Sequence, residues 1–223
     1  MPTGSATRPR RGALAQALRT AGLHALSGEL QAWRSATDLR VLEAARGSAL
    51  VLPFVKGLRL SAKLVYVLRK DLSWSGLDVD WGHLLDDRGD SCSPECDIII
   101  HRTGHVERWD GDTEPVMDFK FVERRLAVAV VSCKSHIDAI GREHRDYVRK
   151  LRPYVEHIFL FAESCSPRNV TALNRRAREA GYAGFGYLYT FDKTTSECVN
   201  DQREWLAFLD AVAARVRRAV SAA

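Results

Sequence analysis

The chain has 223 residues, 46% of them hydrophobic and 27% charged, with a formal net charge of +5. This is the composition of an ordinary globular protein and excludes a disordered, collagenous or disulfide-stapled chain. The length suits one core with a helical extension rather than two full domains, and the mild basicity permits nucleic-acid binding without requiring it.

In chain order, residues 1–12, MPTGSATRPRRG, form a polar basic stretch expected to be a flexible arm. Residues 13–46 read as helical: Leu14, Leu18, Leu23 and Leu26 precede a break at Ser27-Gly28, and Leu30, Trp33, Leu39 and Leu42 recur at spacings of mainly three or four. Gly47 ends this pattern. LVLPFV is short and apolar, and Pro53 assigns it to an edge or connector. GLRLSAKLVYVLRKDL is a helix with Leu60, Leu64, Val67 and Leu68 inward, and with Lys63, Arg69 and Lys70 as a solvated basic flank. Residues 13–75 therefore form a helical region packed on a core at 76–223.

From Leu77 the period changes. LDVDWGHLLDD, CDIIIHR and RRLAVAVVSCK read as three strands in a meander, the third apolar on both faces and so central. DAIGREHRDYVRKLRPY is a helix closed by Pro153. EHIFLFAES is a fourth strand. Ser166 and Pro167 start a second helix that runs to Gly181. GFGYLYTF is a fifth strand, KTTSECVND a loop, and REWLAFLDAVAARVRRAV a closing helix with Trp205, Leu209, Val212 and Val216 inward. The order implies a mixed α/β sheet covered on both faces. No apolar run reaches the ~20 residues of a membrane helix, so no membrane contact is expected. Five scattered cysteines and no leader pattern point to a reducing cytoplasm. Cys92 and Cys96 have no second pair with zinc-ligand spacing.

The polar residues that interrupt the apolar runs carry the functional signal. Asp97 stands just before Ile98, Ile99 and Ile100, and Lys134 ends the third strand with Ser132 two residues before it. Residues two apart share a strand face, which pairs Ser132 with Lys134 and Glu95 with Asp97. Lysine and aspartate are seldom buried without partners. His136 and His144 follow the lysine and read as polar packing, and Ser135 as a cap for the next helix. Trp81 reads as core. Trp74 and Trp109 could stack on bases, and Arg215, Arg217 and Arg218 give a basic terminal face.

ECDIII, followed by SCKS 37 residues on from its start and then by a helix, resembles the signature of the PD-(D/E)XK phosphodiesterase superfamily, over residues 77–191. The resemblance implies a restriction-endonuclease-like mixed β-sheet flanked by helices. It matches Asp97 to the acid on the second core strand and Lys134 to the lysine of the acid-x-lysine triplet. Ser132 stands where that triplet has its acid. In some restriction enzymes of this superfamily a Ser-x-Lys variant takes its missing glutamate from the following helix. Here Glu143 flanks the inward stripe Ile140, His144, Tyr147 and Leu151, with Asp146 and Glu95 as further candidates. The resemblance implies Mg²⁺ or Mn²⁺ held by Asp97, Glu143, the backbone carbonyl of Cys133 and Glu95. It implies Lys134 polarising the attacking water, Ser132 holding a bound water, DNA as substrate, and a homodimer if both strands are cut. The alternatives are an inactive nuclease-fold module that binds nucleic acid or a protein, and an α/β protein of unrelated function.

Overall fold

Four leucines one turn apart, Leu60, Leu64, Leu68 and Leu72, are buried along the first described helix. The computed structural model describes residues 51–72, 76–104, 106–108, 119–195 and 197–221, all within the compact unit Gly47–Ala223. The basic arm, the helices expected over 13–46, Trp74 and Trp109 lie outside the described residues. Helix α1, Val51–Leu72, extends the expected helix backwards through VLPFV. Pro53 sits in its first turn, where the missing N–H costs nothing, so it begins a helix rather than a connector. Arg69 is not merely solvated: its Nε donates to the Val79 carbonyl at 2.8 Å and so ties α1 to the sheet.

Among the described residues the sheet has eight strands in the order β3-β4-β1-β2-β5-β6-β7-β8. They are β1 Leu77–Leu85, β2 Cys96–Arg102, β3 Val106–Arg108, β4 Phe119–Glu123, β5 Ala127–Ile137, β6 His157–Cys165, β7 Gly184–Asp192 and β8 Glu197–Asn200. The expected meander is present as β1-β2-β5, antiparallel throughout. β3 and β4 come from the polar stretch between the second and third expected strands, to which no strand was assigned, and β4 pairs parallel with β1 on its outer side. β8 comes from the stretch read as a loop and pairs antiparallel with β7. All nine residues of β6 are buried, and β5 and β6 pair in parallel from Ala129 opposite His157. Central parallel strands are apolar on both faces for this reason.

Three helices follow: α2 Arg142–Leu151, α3 Val170–Glu179 and α4 Gln202–Ser221. Helices α2 and α3 pack Val148, Leu151, Leu173 and Ala177 onto Val130, Leu160 and Ala162. On the other face α4 buries Trp205, Phe208, Leu209, Val212 and Val216, with Phe208 5.1 Å from the ring of Phe161. α3 begins later than expected: Pro167–Asn169 form a 3₁₀ turn after Ser166, whose hydroxyl makes no cap bond. Ser135 lies inside β5 rather than at a helix start, and its carbonyl accepts a bond from Ser164. Among the described residues no helix is long and apolar enough to cross a membrane.

Candidate active site

The antiparallel register sets Ile98 opposite Val131 and Ile99 opposite Val130. One step further, where this ladder ends, Asp97 meets Ser132 and Cys133. Its Oδ2 accepts the Cys133 backbone N–H at 2.8 Å and the Ser132 hydroxyl at 3.4 Å. The carboxylate thus takes the place of the next ladder acceptor, and Oδ1 carries no hydrogen bond among the described residues. In an extended strand the N–H and C=O of one residue point the same way, so the Cys133 carbonyl is directed at this side of β5. Burial pushes the Asp97 carboxyl above the usual carboxylate range. The Cys133 N–H and Lys134 pull it back, and the charge of Glu95 raises it further.

Lys134 is exposed and forms no ion pair among the described residues; it does not end its strand as expected, because β5 runs on to Ile137 in pairing with β6. It acts on Asp97 through space, and also on His144 of α2. Ser132 is buried between them at 2% exposure. Glu95 is exposed just before β2, and its carbonyl accepts the Tyr147 hydroxyl at 3.3 Å. Glu143 is drawn elsewhere: its carboxylate folds back over the start of α2, where its own backbone N–H holds it below the usual range and His144 Nδ1 lies 2.8 Å away. An acid in the first turn is favoured there by the unpaired N–H groups and the helix dipole. Asp146 faces outward, 3.0 Å from Arg149 and 3.8 Å from Arg142. Among the described residues no three His, Cys, Asp or Glu side chains gather as a metal cluster.

Two polar atoms near this site are buried without a hydrogen-bond partner, His144 Nε2 and the Tyr182 hydroxyl. Burial lowers the His144 imidazole, helped by Lys134 and opposed by Glu143. Burial also raises the Tyr182 phenol, with Asp97 and Glu143 adding to the shift. His136 is paired within the fold, Nδ1 2.9 Å from Ser164 Oγ and Nε2 3.0 Å from Asp138. Trp81 is half-buried, edge-on to Phe119 at 5.4 Å. Cys92 and Cys96 are free thiols whose sulfurs donate to the Leu84 and Pro94 carbonyls.

A second aspartate of the sheet, this one fully buried, was not singled out from the sequence. Asp80 in β1 is 2% exposed and meets Arg69 at 2.6 Å, His101 at 2.8 Å and Lys120 at 3.3 Å. Burial works against its ionisation, yet the His101 hydrogen bond and the charges of Lys120, His101 and Arg69 hold it at about 2. The sequence signal was an acid at alternate positions in LDVDW, but the partner Lys120 lies on a strand that was not expected. Glu163 is a further buried acid at 1% exposure. Its neighbour Ala162 pairs with Lys134, so by strand alternation Glu163 projects from the face away from that lysine.

Similar folds are known. No protein-family model matches the chain, and no curated protein does. Among solved structures it is similar to NucC of P. aeruginosa ATCC27853 in its cAAA-bound form, with a TM-score of 0.61 at 12% identity over 96% of this chain and 93% of that one. NucC of E. coli MS115-1 matches in its cAAA-bound form, with a TM-score of 0.58 at 12% identity over 96% and 93% of the two chains. Its apo form matches with a TM-score of 0.53 at 11% identity over 70% and 82%. The fold is restriction-endonuclease-like. Within it, Asp97 and the segment Ser132–Lys134 meet where β2 and β5 part.

Proposed function

We propose that the chain is a metal-dependent phosphodiesterase of the PD-(D/E)XK kind, a DNA endonuclease of the defence type. One observation carries this reading: of two aspartates set in the sheet, buried Asp80 meets Arg69, Lys120 and His101, whereas Asp97, half-buried, is held only by a neutral N–H and a hydroxyl. A carboxylate drawn out of water without a close counter-charge is costly and matches a place reserved for a cation. The fold likeness to NucC supports the nuclease class.

The donors fit a hard divalent ion. Mg²⁺ keeps several waters and is bound through one or two carboxylates together with substrate phosphate. Asp97 supplies one carboxylate, the Cys133 carbonyl a further oxygen, and Glu95 a second acid beside them. Mn²⁺ takes the same ligands. When bound, such an ion polarises a phosphoryl oxygen and acidifies a water. Asp97 then holds the site's negative charge at a fixed point on β2. Lys134, exposed and without an ion pair among the described residues, binds the non-bridging oxygens of the scissile phosphate and offsets the charge that grows on them. Ser132 keeps the Asp97 carboxylate turned toward β5.

A second reading has its own observation. Ser132 replaces an acid, and Glu143 caps α2 rather than turning toward Asp97, which suits an inactive module that binds nucleic acid or a protein. Cleavage of supercoiled plasmid separates the two, with Mg²⁺ or Mn²⁺ and with or without cAAA, since two of the similar structures hold that ligand. The expected result is metal-dependent nicking that drops by about 10²–10³ in Lys134→Ala. Wild type cutting no better than Lys134→Ala under every condition would leave the inactive module.

A further inference from the structure

Helix α2 carries Arg142, Arg145 and Arg149, and Arg152 continues the spacing at its C-cap in helical conformation. Steps of three and four put them on one stripe, about one guanidinium per 5.4 Å turn. All four are exposed. From residue 142 to 152 there are five cationic side chains against the two carboxylates of Glu143 and Asp146. Arg145, Arg149 and Arg152 wall a groove of about 580 Å³, floored by Val148, Pro153 and Gly181. Gly181, at φ +95°, lies so near Val148 that a side chain would meet its Cγ1 at 3.1 Å, which keeps the floor smooth and apolar.

The guanidiniums are positioned rather than loose. Asp146 lies 3.0 Å from Arg149, and Arg152 donates to the Gly181 carbonyl at 3.3 Å. Each retains further N–H donors from its set of five. Arg145 forms no ion pair among the described residues. The first turn of α2 is the active-site end, because His144 feels the charge of Lys134 and the Tyr147 hydroxyl reaches the Glu95 carbonyl. The far end of the groove lies a helix length away, at Gly181.

We propose that this stripe is the track for the DNA strand flanking the scissile phosphate. Successive backbone phosphates are held by Arg145, Arg149 and Arg152, and sugar edges lie on the apolar floor. The proposal rests on the reading of Asp97 and Lys134 as the phosphodiester site. Arginine suits it because its planar fork holds phosphate in two-point contacts and is more weakly hydrated than lysine. Such contacts position a strand without reading its sequence.

The test measures binding of a short labelled duplex to the full chain in a Lys134→Ala background with Mg²⁺, across about 50–200 mM salt. With Arg145, Arg149 and Arg152 all changed to Gln, the slope of log affinity against log salt should fall by about 3, and affinity near 0.1 M salt by at least about tenfold. Arg125, Arg175 and Arg203 changed to Gln remove the same charge elsewhere and should leave the slope unchanged. Lysine at the three stripe positions should restore most of it. A stripe variant with the parent's slope, or a control set that loses as much, overturns the proposal. So does a parent protein that binds no DNA. The two readings fail separately: plasmid cutting with an indifferent stripe removes only the track, and stripe-dependent binding without cutting removes only the catalyst.

Discussion

Two aspartates of one sheet, Asp80 buried and Asp97 half-buried, differ in what surrounds them, and the difference predicts opposite responses to substitution. The folded-state value of Asp80 is depressed to about 2. Its stabilising contribution is therefore complete above the ordinary value of 3.8 and is lost as pH falls through about 2. Asp97 is shifted the other way. Its contribution is complete below 3.8 and is lost as pH rises through the raised folded value, so the ionised form is a liability at neutral pH. Asp97→Asn keeps an oxygen to accept the Cys133 N–H and removes that liability. We expect its thermal midpoint at pH 7 to equal or exceed that of wild type, with the gap closing below pH ~4. Asp80→Asn removes the buried carboxylate that faces Arg69 and Lys120 and should cost about 3–5 kcal/mol at pH 7 by urea unfolding. Added Mg²⁺ should stabilise wild type, by about 1.4 kcal/mol at ten times its Kd, and leave Asp97→Asn unmoved. Both variants shifting the same way at pH 7 would show that the two environments have been misread.

At the scale of elements, what the sequence disclosed was whatever a long local period could carry. The leucine stripe of α1, the apolar run 158–162 of β6 and the inward Trp205, Leu209, Val212 and Val216 of α4 each repeat often enough to be read. Asp97 and Lys134 were legible because each interrupts an apolar run. β3, β4 and β8 are three to five residues long, and their pairing is decided by which sheet edge is free rather than by their own pattern. FKFVE does alternate, but it lies in a polar stretch and its partner β1 is 34 residues earlier at the nearest. The role of Glu143 depends on a contest between a helix start and a sheet face, which no periodicity records. The parallel pairing of β4 with β1 also needs a glycine. At Gly82, φ is +150°, and a Cβ would stand 1.7 Å from the Lys120 carbonyl oxygen. Gly82→Ala should cost more than the ~1–3 kcal/mol of ordinary overpacking and loosen amide exchange at Phe121 and Val122. Gly57 in α1 meets nothing within 4 Å, so Gly57→Ala should stabilise by roughly 0.5–1 kcal/mol through helix propensity. Equal urea midpoints for the two variants would show that β4 does not depend on the close approach.

For the whole molecule, the count of sites sets what one copy can do. Among the described residues the sheet has one place where β2 and β5 part around an aspartate and a lysine, and so one candidate centre. One centre cuts one strand in one encounter. The two strands of a duplex run in opposite directions, and two copies related by a twofold axis present two centres with the matching polarity. On the proposed function, double-strand cutting therefore requires two chains and nicking requires one. At low protein concentration nicked plasmid should accumulate before linear product. As concentration rises, linear product should grow more steeply than the first power of protein, in step with the dimer fraction seen by analytical ultracentrifugation. Adding an excess of Lys134→Ala protein should convert linear product to nicked product, because mixed dimers hold a single working centre. Linear product that stays first order in protein, and that the inactive variant does not suppress, would mean that one chain cuts both strands in turn.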